Sequence, residues 1–171
     1  MELKKITKNE YDKFFSLLEN DFCLDERKTK ANELKAFDDS NFSPNFIFDG
    51  ETLVGYVCFW EFEKFLFIEH FAILQEMRGT GCGSKFLKEF SESSTKPIIL
   101  EVELPETEVA EKRIKFYERL GYVVNKFPYT QPAYQPESNP VEMYVMSYGS
   151  ALSKQNFNDF TNEIKSVVYN Q

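Results

Sequence analysis

A glycine-rich stretch between a predicted strand and a predicted helix is the feature that most constrains this chain. Residues 65–73 form an apolar run, residues 78–84 read RGTGCGS, and Phe86 and Phe90 then mark a helix. Glycines let the backbone adopt positive φ and approach a ligand closely, and the first NH groups of a helix have no partner within it. A strand, a glycine turn and a helix N-terminus therefore predict an anion site, to which Arg78 adds a fork-shaped donor suited to phosphate.

Two common phosphate-binding motifs do not fit this stretch. A P-loop needs GxxxxGK[ST], but here the serine, Ser84, comes before the lysine. The dinucleotide motif GxGxxG begins at Gly79 and Gly81, but its third glycine position falls on Ser84. The pattern that remains is RxxGxG, with Arg78, Gly81 and Gly83 in its fixed positions.

The rest of the chain alternates between patterns typical of strands and of helices. A capping box of Thr7 and Glu10 precedes an amphipathic helix, and Asp49-Gly50 between two apolar runs predicts a hairpin. Further helices are expected over 25–37, after the glycine stretch, before Gly121 and over 155–168. Strands are expected over 3–6, 46–48, 53–62, 65–73, 98–102, 122–125 and 141–147. This order indicates a mixed α/β fold.

Composition and charge narrow the class of protein. The 171 residues suit one domain, 1–171, and 42% hydrophobic content excludes a disordered chain. With 20 basic and 28 acidic residues the net charge is −8, which disfavours nucleic acid and favours cationic ligands. The three cysteines lack disulfide or metal spacing, no apolar stretch is long enough to span a membrane, and one histidine cannot supply a zinc cluster. We therefore expect a cytoplasmic domain with no metal, no membrane contact and no bound nucleic acid.

Two further motifs accompany RxxGxG in a fixed order. Ala72-Ile73 ends the strand before the glycine stretch, and residues 116–122 read FYERLGY at the end of a later helix. Together the three motifs resemble those of the GNAT superfamily of acetyl-CoA-dependent N-acetyltransferases. The resemblance covers most of the chain as far as residue 147 and leaves the helix at 155–168 unexplained.

The resemblance implies an α/β (α+β) fold, a single GNAT-like domain whose mixed central sheet has about six to seven strands. The sheet is expected to be splayed between the strands at 66–73 and 98–102, with helices on both faces and an extra C-terminal helix. Acetyl-CoA, as cosubstrate, would lie in the gap, with backbone groups near Ile73 on its pantetheine arm. Many members of the family contact the pantetheine arm with an asparagine that follows the strand at 98–102. Residues 105–110, which occupy that connection here, contain no asparagine. The residues expected at the pyrophosphate are Arg78, Gly79, Thr80, Gly81, Cys82, Gly83 and Ser84.

The reaction of this family is direct attack of a neutral amine on the acetyl carbonyl, which needs a base and a proton donor. Tyr117 matches the family's proton donor, although it also fits the apolar face of its helix. Glu69 is the candidate base, through a water, because strand alternation places it on the face of Phe71 and Ile73, where an unused carboxylate is costly. The alternatives are that Glu69 pairs with a lysine or an arginine, and that Glu101 in the neighbouring strand is the base.

Two other polar residues near these motifs receive less specific interpretations. His70 is adjacent to Glu69 in the strand, where successive side chains alternate, and is therefore expected on the other side of the sheet. Cys82 lies at the helix N-terminus, and we interpret it as a replacement for an aliphatic residue rather than as a nucleophile.

The acceptor is expected to enter opposite the CoA arm, beside the proline-containing loop 127–140. Tyr129 and Tyr134 on this loop would form an aromatic and acidic wall suited to a small cationic amine, together with Glu101, Glu103 and Glu142. A solvated surface is the other interpretation of these glutamates, and a peptide amine is the other acceptor class. A CoA-binding sensor or partner-binding module without catalysis stays open, as do a monomer and a homodimer.

Overall fold

The computed structural model describes residues 1–170, and a mixed sheet of eight strands forms its centre. The strands are β1 Glu2–Lys5, β2 Phe42–Asp49, β3 Thr52–Glu61, β4 Leu66–Ile73, β5 Ile98–Glu103, β6 Tyr122–Asn125, β7 Thr130–Gln131 and β8 Val141–Tyr148. Seven of them lie in the order β1-β2-β3-β4-β5-β8-β6, and the short β7 pairs with β8. The β4–β5 pair is parallel whereas β3–β4 and β5–β8 are antiparallel, so the expected mixed sheet is confirmed.

Helices cover both faces of the sheet, as expected. They are α1 Tyr11–Asp21, α2 Lys30–Ala36, α3 Cys82–Ser93, α4 Glu108–Arg119 and α5 Lys154–Val167. On one face α1 and α5 pack in a core that contains Phe14 and Phe160, and on the other α3 and α4 bury Phe86 and Ile114. The expected C-terminal helix, α5, thus covers the sheet: Phe160 stacks on Phe65 with ring centroids 4.4 Å apart.

The second helix is shorter than the sequence predicts. A 3₁₀ turn covers Leu24–Glu26, and α2 begins only after Thr29. The Thr29 hydroxyl accepts a hydrogen bond from the NH of Asn32 at 3.2 Å and so caps the helix. Threonine favours this extended capping position over a helix interior, which divides the predicted helix over 25–37 into two pieces.

The central strands part in the way that the resemblance implies. β4 and β5 pair only where Leu66–Ile68 lie beside Ile98–Leu100. Beyond that point β4 runs on to Ile73 against β3 alone, while β5 runs on to Glu103 against β8 alone. A wedge-shaped gap therefore opens between the two parallel strands, and the splayed sheet is confirmed.

A β-bulge interrupts β4 where the strands part. Cys58 of β3 lies opposite His70, but Phe59 lies opposite Ile68, so Glu69 is an extra residue on β4. An extra residue shifts the pleat, and side chains beyond it exchange faces relative to a regular strand.

The bulge overturns two expectations about which side chains share a face. Phe71 and Ile73 face α3, since the Phe71 ring stacks on that of Phe86 and Ile73 lies against Gly83. Glu69 faces the opposite layer, so its predicted place beside Phe71 and Ile73 is wrong. His70 was expected away from Glu69 but lies on the same side of the sheet. Its ring packs on Phe22 and Tyr134, and Nε2 is 2.9 Å from the Glu26 carbonyl oxygen.

Two further findings for residues 1–170 concern membrane-spanning helices and metal sites, both of which the composition disfavours. Within them no helix combines the length and apolar character needed to cross a membrane. No group of three or more His, Cys, Asp or Glu side chains in this range is arranged to hold a metal ion. Cys23, Cys58 and Cys82 are free thiols, and a cytoplasmic location stays a prediction.

Candidate active site

The glycine-rich stretch forms a tight turn that leads the chain into α3. Gly79 and Gly81 have φ of 78° and 86°, the left-handed region that glycine adopts without strain. α3 begins at Cys82 with no side chain capping it, so the NH groups of its first turn lack partners within the helix and lie at the positive end of its dipole. A Cβ at Gly83 would lie 3.1 Å from the Ile73 side chain, so glycine there keeps α3 close to β4.

A cavity of about 380 Å³ opens beside this turn, between the start of α3, β4 and Phe116 of α4. It meets a second hollow of about 290 Å³ in the gap between β4 and β5, because Phe71, Ile73 and Arg78 line both. We call the two together the β4–β5 cleft. Its outer part is lined by Gly79, Gly81, Gly83 and Ser84, and its inner part by Asp21, Phe22, Glu69, Glu101, Arg113 and Tyr117.

Arg78 bridges the mouth of the cleft. Its Nε donates to the Ile73 carbonyl oxygen at 2.9 Å, and its Nη2 donates to Asp21 Oδ1 at 2.6 Å. Asp21, at the end of α1, also accepts a hydrogen bond from the Tyr56 hydroxyl at 3.0 Å. Arg78, the predicted phosphate ligand, thus lies beside the cavity, and an anion that binds it has to compete with Asp21.

Two of the predicted cofactor residues shape the turn from outside the cleft lining. The Thr80 hydroxyl lies 2.7 Å from the Met77 carbonyl oxygen and 3.1 Å from Cys82 Sγ. Cys82 packs at the edge of the core on the α3 side of the sheet. These contacts fix the conformation of the turn, and Cys82 has the structural surroundings of the small apolar residue that we expected there.

Glu69 has both of its carboxylate oxygens engaged. Lys28 forms an ion pair with Oε1, and the Trp60 indole NH donates to Oε2 at 2.6 Å. Both ionised side chains are buried, with 6% of Lys28 and 0% of Glu69 exposed. Burial acts to raise the pKa of Glu69, but the charge of Lys28 and the hydrogen bonds from Lys28 and Trp60 outweigh it and hold the pKa below its usual value. The alternative interpretation of Glu69 as a lysine partner describes this arrangement.

Glu101 faces the same gap from β5 but has neutral partners. The hydroxyls of Tyr129 and Tyr169 bind its two oxygens, the second at 2.6 Å. Burial raises the pKa of Glu101 to about 7, although the two hydroxyls and the more distant Lys165 act to lower it. The charge of Glu69 adds to the increase. Two carboxylates whose surroundings push their pKa values apart are a common arrangement where one of them acts in proton transfer.

Tyr117 lines the cleft from α4. The residue is 9% exposed, and burial raises its pKa to about 12, with Arg113 acting weakly in the other direction. It therefore keeps its proton at neutral pH and can donate it to a group in the cleft. Its ring also packs edge-to-face against Phe116 and Tyr122, so the core role and the cleft position coexist in one side chain.

The two tyrosines of the predicted aromatic wall do not line the β4–β5 cleft, because Tyr134 lines a separate cavity and Tyr129 lines another. A cation already lies on Tyr134. The Lys28 ammonium lies 5.0 Å from the ring centre of Tyr134 and 5.5 Å from that of Trp60. Tyr129 uses its hydroxyl on Glu101. Glu103 turns away from this wall and forms an ion pair with Arg113 at 2.8 Å.

Sequence reasoning missed several residues that the structure brings to this site. Lys28 and Tyr169 contact the two glutamates from 41 and 68 residues away in the chain. Glu33 of α2 is 0% exposed and neither of its oxygens has a hydrogen-bond partner, and burial raises its pKa to about 7. Lys28 and Glu33 lie in a polar stretch that carries no sequence signal for buried charges, but Tyr169 could have been noticed as an aromatic residue directly after the apolar stripe of α5.

These features define an α/β domain with a cleft between parted parallel strands, a glycine turn with unpaired NH groups at one end and a protonated tyrosine with two dissimilar carboxylates at the other. Residues 44–124 match the family model of the acetyltransferase (GNAT) domain. Taken with the fold and the motifs, this match assigns residues 44–124 to the acetyltransferase (GNAT) domain family.

Individual proteins similar to this chain agree with that assignment. A candidate acetyltransferase of the GNAT family from Bacteroides thetaiotaomicron is 29% identical, with a TM-score of 0.92 over 99% of this chain and 98% of its own. The candidate acetyltransferase YjbC of Bacillus subtilis (strain 168) is 35% identical over 65 residues, which span 37% of this chain and 33% of that protein. Arabidopsis thaliana Naa50, in complex with the bisubstrate analogue CoA-Ac-MVNAL, shares the fold at 20% identity, with a TM-score of 0.61 over 85% of this chain and 96% of its own.

Proposed function

We propose that this chain transfers an acetyl group from acetyl-CoA to the primary amine of a small acceptor that arrives as a cation, by direct attack in a ternary complex. The observation that supports this most is the β4–β5 cleft, which joins an anion-binding turn to Glu101, Glu69 and Tyr117. Acetyl-CoA supplies the acetyl group as a thioester, and its pyrophosphate suits the unpaired NH groups at the start of α3.

The cleft fits the rest of such a cofactor. Phe71, Ile73 and Phe116 give its outer part apolar walls, which suit the alkyl portions of a pantetheine arm. Arg78 would exchange Asp21 for a phosphate oxygen, a charge-assisted bond of the same kind. The negative charge of the cofactor's phosphates is then balanced locally by Arg78 and the NH groups at the start of α3, although the chain carries a net charge of −8.

Glu101 is the base in this proposal. A pKa of about 7 leaves a large part of its carboxylate ionised at neutral pH and makes it a proton acceptor matched to that pH. Glu69, the candidate favoured by the sequence, stays ionised as the partner of Lys28 and Trp60 and contributes fixed negative charge. Glu69 acting through a water is the alternative. Under the proposal Glu101→Gln removes the acidic limb of the pH–rate profile, and under the alternative only Glu69→Gln does.

The acceptor class is the least specific part of the proposal. The net charge of −8 favours a cation, and Asp21, Glu69 and Glu101 line the inner cleft. A peptide amine is the second candidate, supported by the shared fold of Naa50 in its complex with CoA-Ac-MVNAL. The two are separated by measuring CoA release from acetyl-CoA with a panel of monoamines, polyamines, amino acids and short peptides. CoA binding with no release above hydrolysis for any of them would instead favour the non-catalytic sensor.

Replacement of Tyr117 by phenylalanine tests the proposed proton donor. We expect kcat to fall by about a hundredfold, because the departing thiolate loses its proton source, while the Kd of acetyl-CoA is unchanged. Steady-state kinetics and calorimetric titration measure the two quantities. Tyr148→Phe, on the edge of the same core but outside the cleft, is the matched control. An unchanged kcat in Tyr117→Phe would remove Tyr117 from the mechanism.

A further inference from the structure

Tyrosine hydroxyls from two distant segments hold the carboxylate of Glu101. Tyr129, from the loop between β6 and β8, donates to Oε1, and Tyr169 donates to Oε2 at 2.6 Å. Tyr169 lies just after the end of α5. The helix that the sequence resemblance leaves unexplained therefore delivers a hydroxyl to the proposed base.

The line of hydroxyls continues away from the cleft. The hydroxyl oxygens of Tyr169 and Tyr134 lie 3.3 Å apart. Because Tyr169 has a single proton and gives it to Glu101, Tyr134 is the donor in this second bond while Glu101 is ionised. Tyr134 and Tyr169 both line another cavity, of about 390 Å³, which we call the α2–α5 cavity.

The α2–α5 cavity and the β4–β5 cleft are separate spaces with a thin wall between them. They have no lining residue in common. Glu69 and Glu101 line the cleft, their partners Lys28 and Tyr169 line the cavity, and each pair is bonded directly across the wall. The rim of the cavity carries the exposed side chains of Asn32, Lys35 and Asp39, so the cavity is open to solvent.

We propose that Tyr169 and Tyr134 form a proton path from Glu101 to the α2–α5 cavity. The inference rests on the proposed function, in which Glu101 takes a proton from the acceptor amine. Cofactor and acceptor together fill the cleft from which Glu101 is otherwise reached by solvent. The path lets the base discharge its proton on the other side of the wall while the cleft is occupied.

The transfer balances without a charged tyrosine at either end. The amine N–H proton moves to Glu101 as the new N–C bond forms. The two hydroxyls then turn, so that Glu101 donates to Tyr169, Tyr169 to Tyr134, and Tyr134 to a water in the cavity. Each tyrosine oxygen gains one proton and loses one, and the net result is one proton moved from the amine to solvent.

The surroundings of the two tyrosines favour this concerted exchange. Burial and then the charge of Glu101 raise the pKa of Tyr169, and burial and then the charge of Glu69 raise that of Tyr134. A tyrosinate is therefore a poor resting state at either position. A proton must enter each hydroxyl as another leaves it.

Three single replacements by phenylalanine test the path, because each removes a hydroxyl with a different role. Tyr134→Phe breaks the path but keeps both donors to Glu101, so we expect kcat to fall by about tenfold with the acidic limb of the pH–rate profile in place. Tyr129→Phe removes a donor and keeps the path, so the acidic limb moves to higher pH. Tyr169→Phe removes a donor and also breaks the path, so we expect both the fall in kcat and the shift of the acidic limb. Proton inventories in mixtures of light and heavy water should show more than one transferring proton in the unaltered protein and fewer in Tyr134→Phe and Tyr169→Phe.

A control variant and three contrary results separate the proton path from the proposed function and from the assignment of the base. Tyr148→Phe should leave kcat, the profile and the inventory unchanged. If Tyr134→Phe keeps the kcat and proton inventory of the unaltered protein at every pH, the path is wrong, even where Glu101→Gln is inactive. If the unaltered protein acetylates no amine of the panel, the proposed function itself fails. If Glu101→Gln retains full activity, the assignment of the base fails and the path with it.

Discussion

Two glutamates on neighbouring strands have opposite pKa shifts, and their partners explain the difference. Glu69 meets a lysine ammonium, which holds its pKa below the usual value, and Glu101 meets only tyrosine hydroxyls, so burial raises its pKa to about 7. The sequence favoured Glu69 as the base and kept Glu101 as the alternative, whereas their partners favour the reverse order. Lys28 and Tyr169 reach them from distant segments, and no local pattern indicates those contacts.

A third buried glutamate gives a prediction about stability. Glu33 titrates near 7 in the folded protein against 4.5 for an ordinary glutamate, because it is buried without hydrogen-bond partners. Between these pH values the folded state holds a proton that the unfolded state releases, so stability falls as pH rises through this window. The loss amounts to about 3 kcal/mol at most. Glu33→Gln should remove it, so that the variant gains stability relative to the unaltered protein at pH 8 but not at pH 4.5.

Chemical denaturation at both pH values measures this difference. Glu92→Gln, at an exposed position of α3, is the matched control and should show no pH-dependent gain. A Glu33→Gln variant whose free energy of unfolding changes equally at both pH values would mean that folding does not raise the pKa of Glu33.

At the scale of elements, most of the fold was predictable because each element carries its own local signal. The Asp49-Gly50 hairpin, the glycine turn before α3 and the apolar stripe of α5 all lie where the sequence placed them. The face of the sheet on which each β4 side chain lies was not predictable, since alternation assumes a regular pleat and the extra residue at Glu69 breaks it. The cofactor turn could therefore be located from sequence, whereas the arrangement of acid and base side chains could not.

Close spacing of β3 and β4 gives a second prediction. A Cβ at Gly55 would lie 2.3 Å from the backbone oxygen of Ala72, so Gly55→Ala has to push the end of β4 away from β3. We expect a loss of about 2 kcal/mol in stability and, because Ala72 and Ile73 line the cleft, a loss of at least about tenfold in acetyl-CoA affinity. Thermal unfolding and calorimetric titration measure the two effects.

Gly50→Ala is a control that separates these effects. Gly50 has φ of 62° in open space, so alanine there costs about 1 to 2 kcal/mol through backbone strain without moving β4. Its acetyl-CoA affinity should equal that of the unaltered protein. Equal affinity in Gly55→Ala as well would show that the spacing of β3 and β4 does not control the cleft.

At the scale of the whole molecule, the net charge of −8 acts on the two substrates in opposite directions. It repels the phosphates of acetyl-CoA and attracts an ammonium, and added salt screens both effects. Raising the ionic strength from about 20 mM to about 300 mM should lower the KM of acetyl-CoA and raise that of a cationic amine, each by about twofold to threefold. Acetyl-pantetheine, which lacks the phosphates, should respond little. A KM for acetyl-CoA that rises with salt would mean that local contacts such as Arg78 outweigh the charge of the whole surface.

The bulge in β4 also bears on how such a domain would be designed. A strand written with a strict period of two would present Glu69 on the same side as Phe71 and Ile73, which places a carboxylate in the apolar wall of the cofactor cavity. One inserted residue sends the acid to one layer and the apolar wall to the other. An engineer who regularises this strand to gain stability would therefore mix the two layers, and the insertion has to be kept as part of the site.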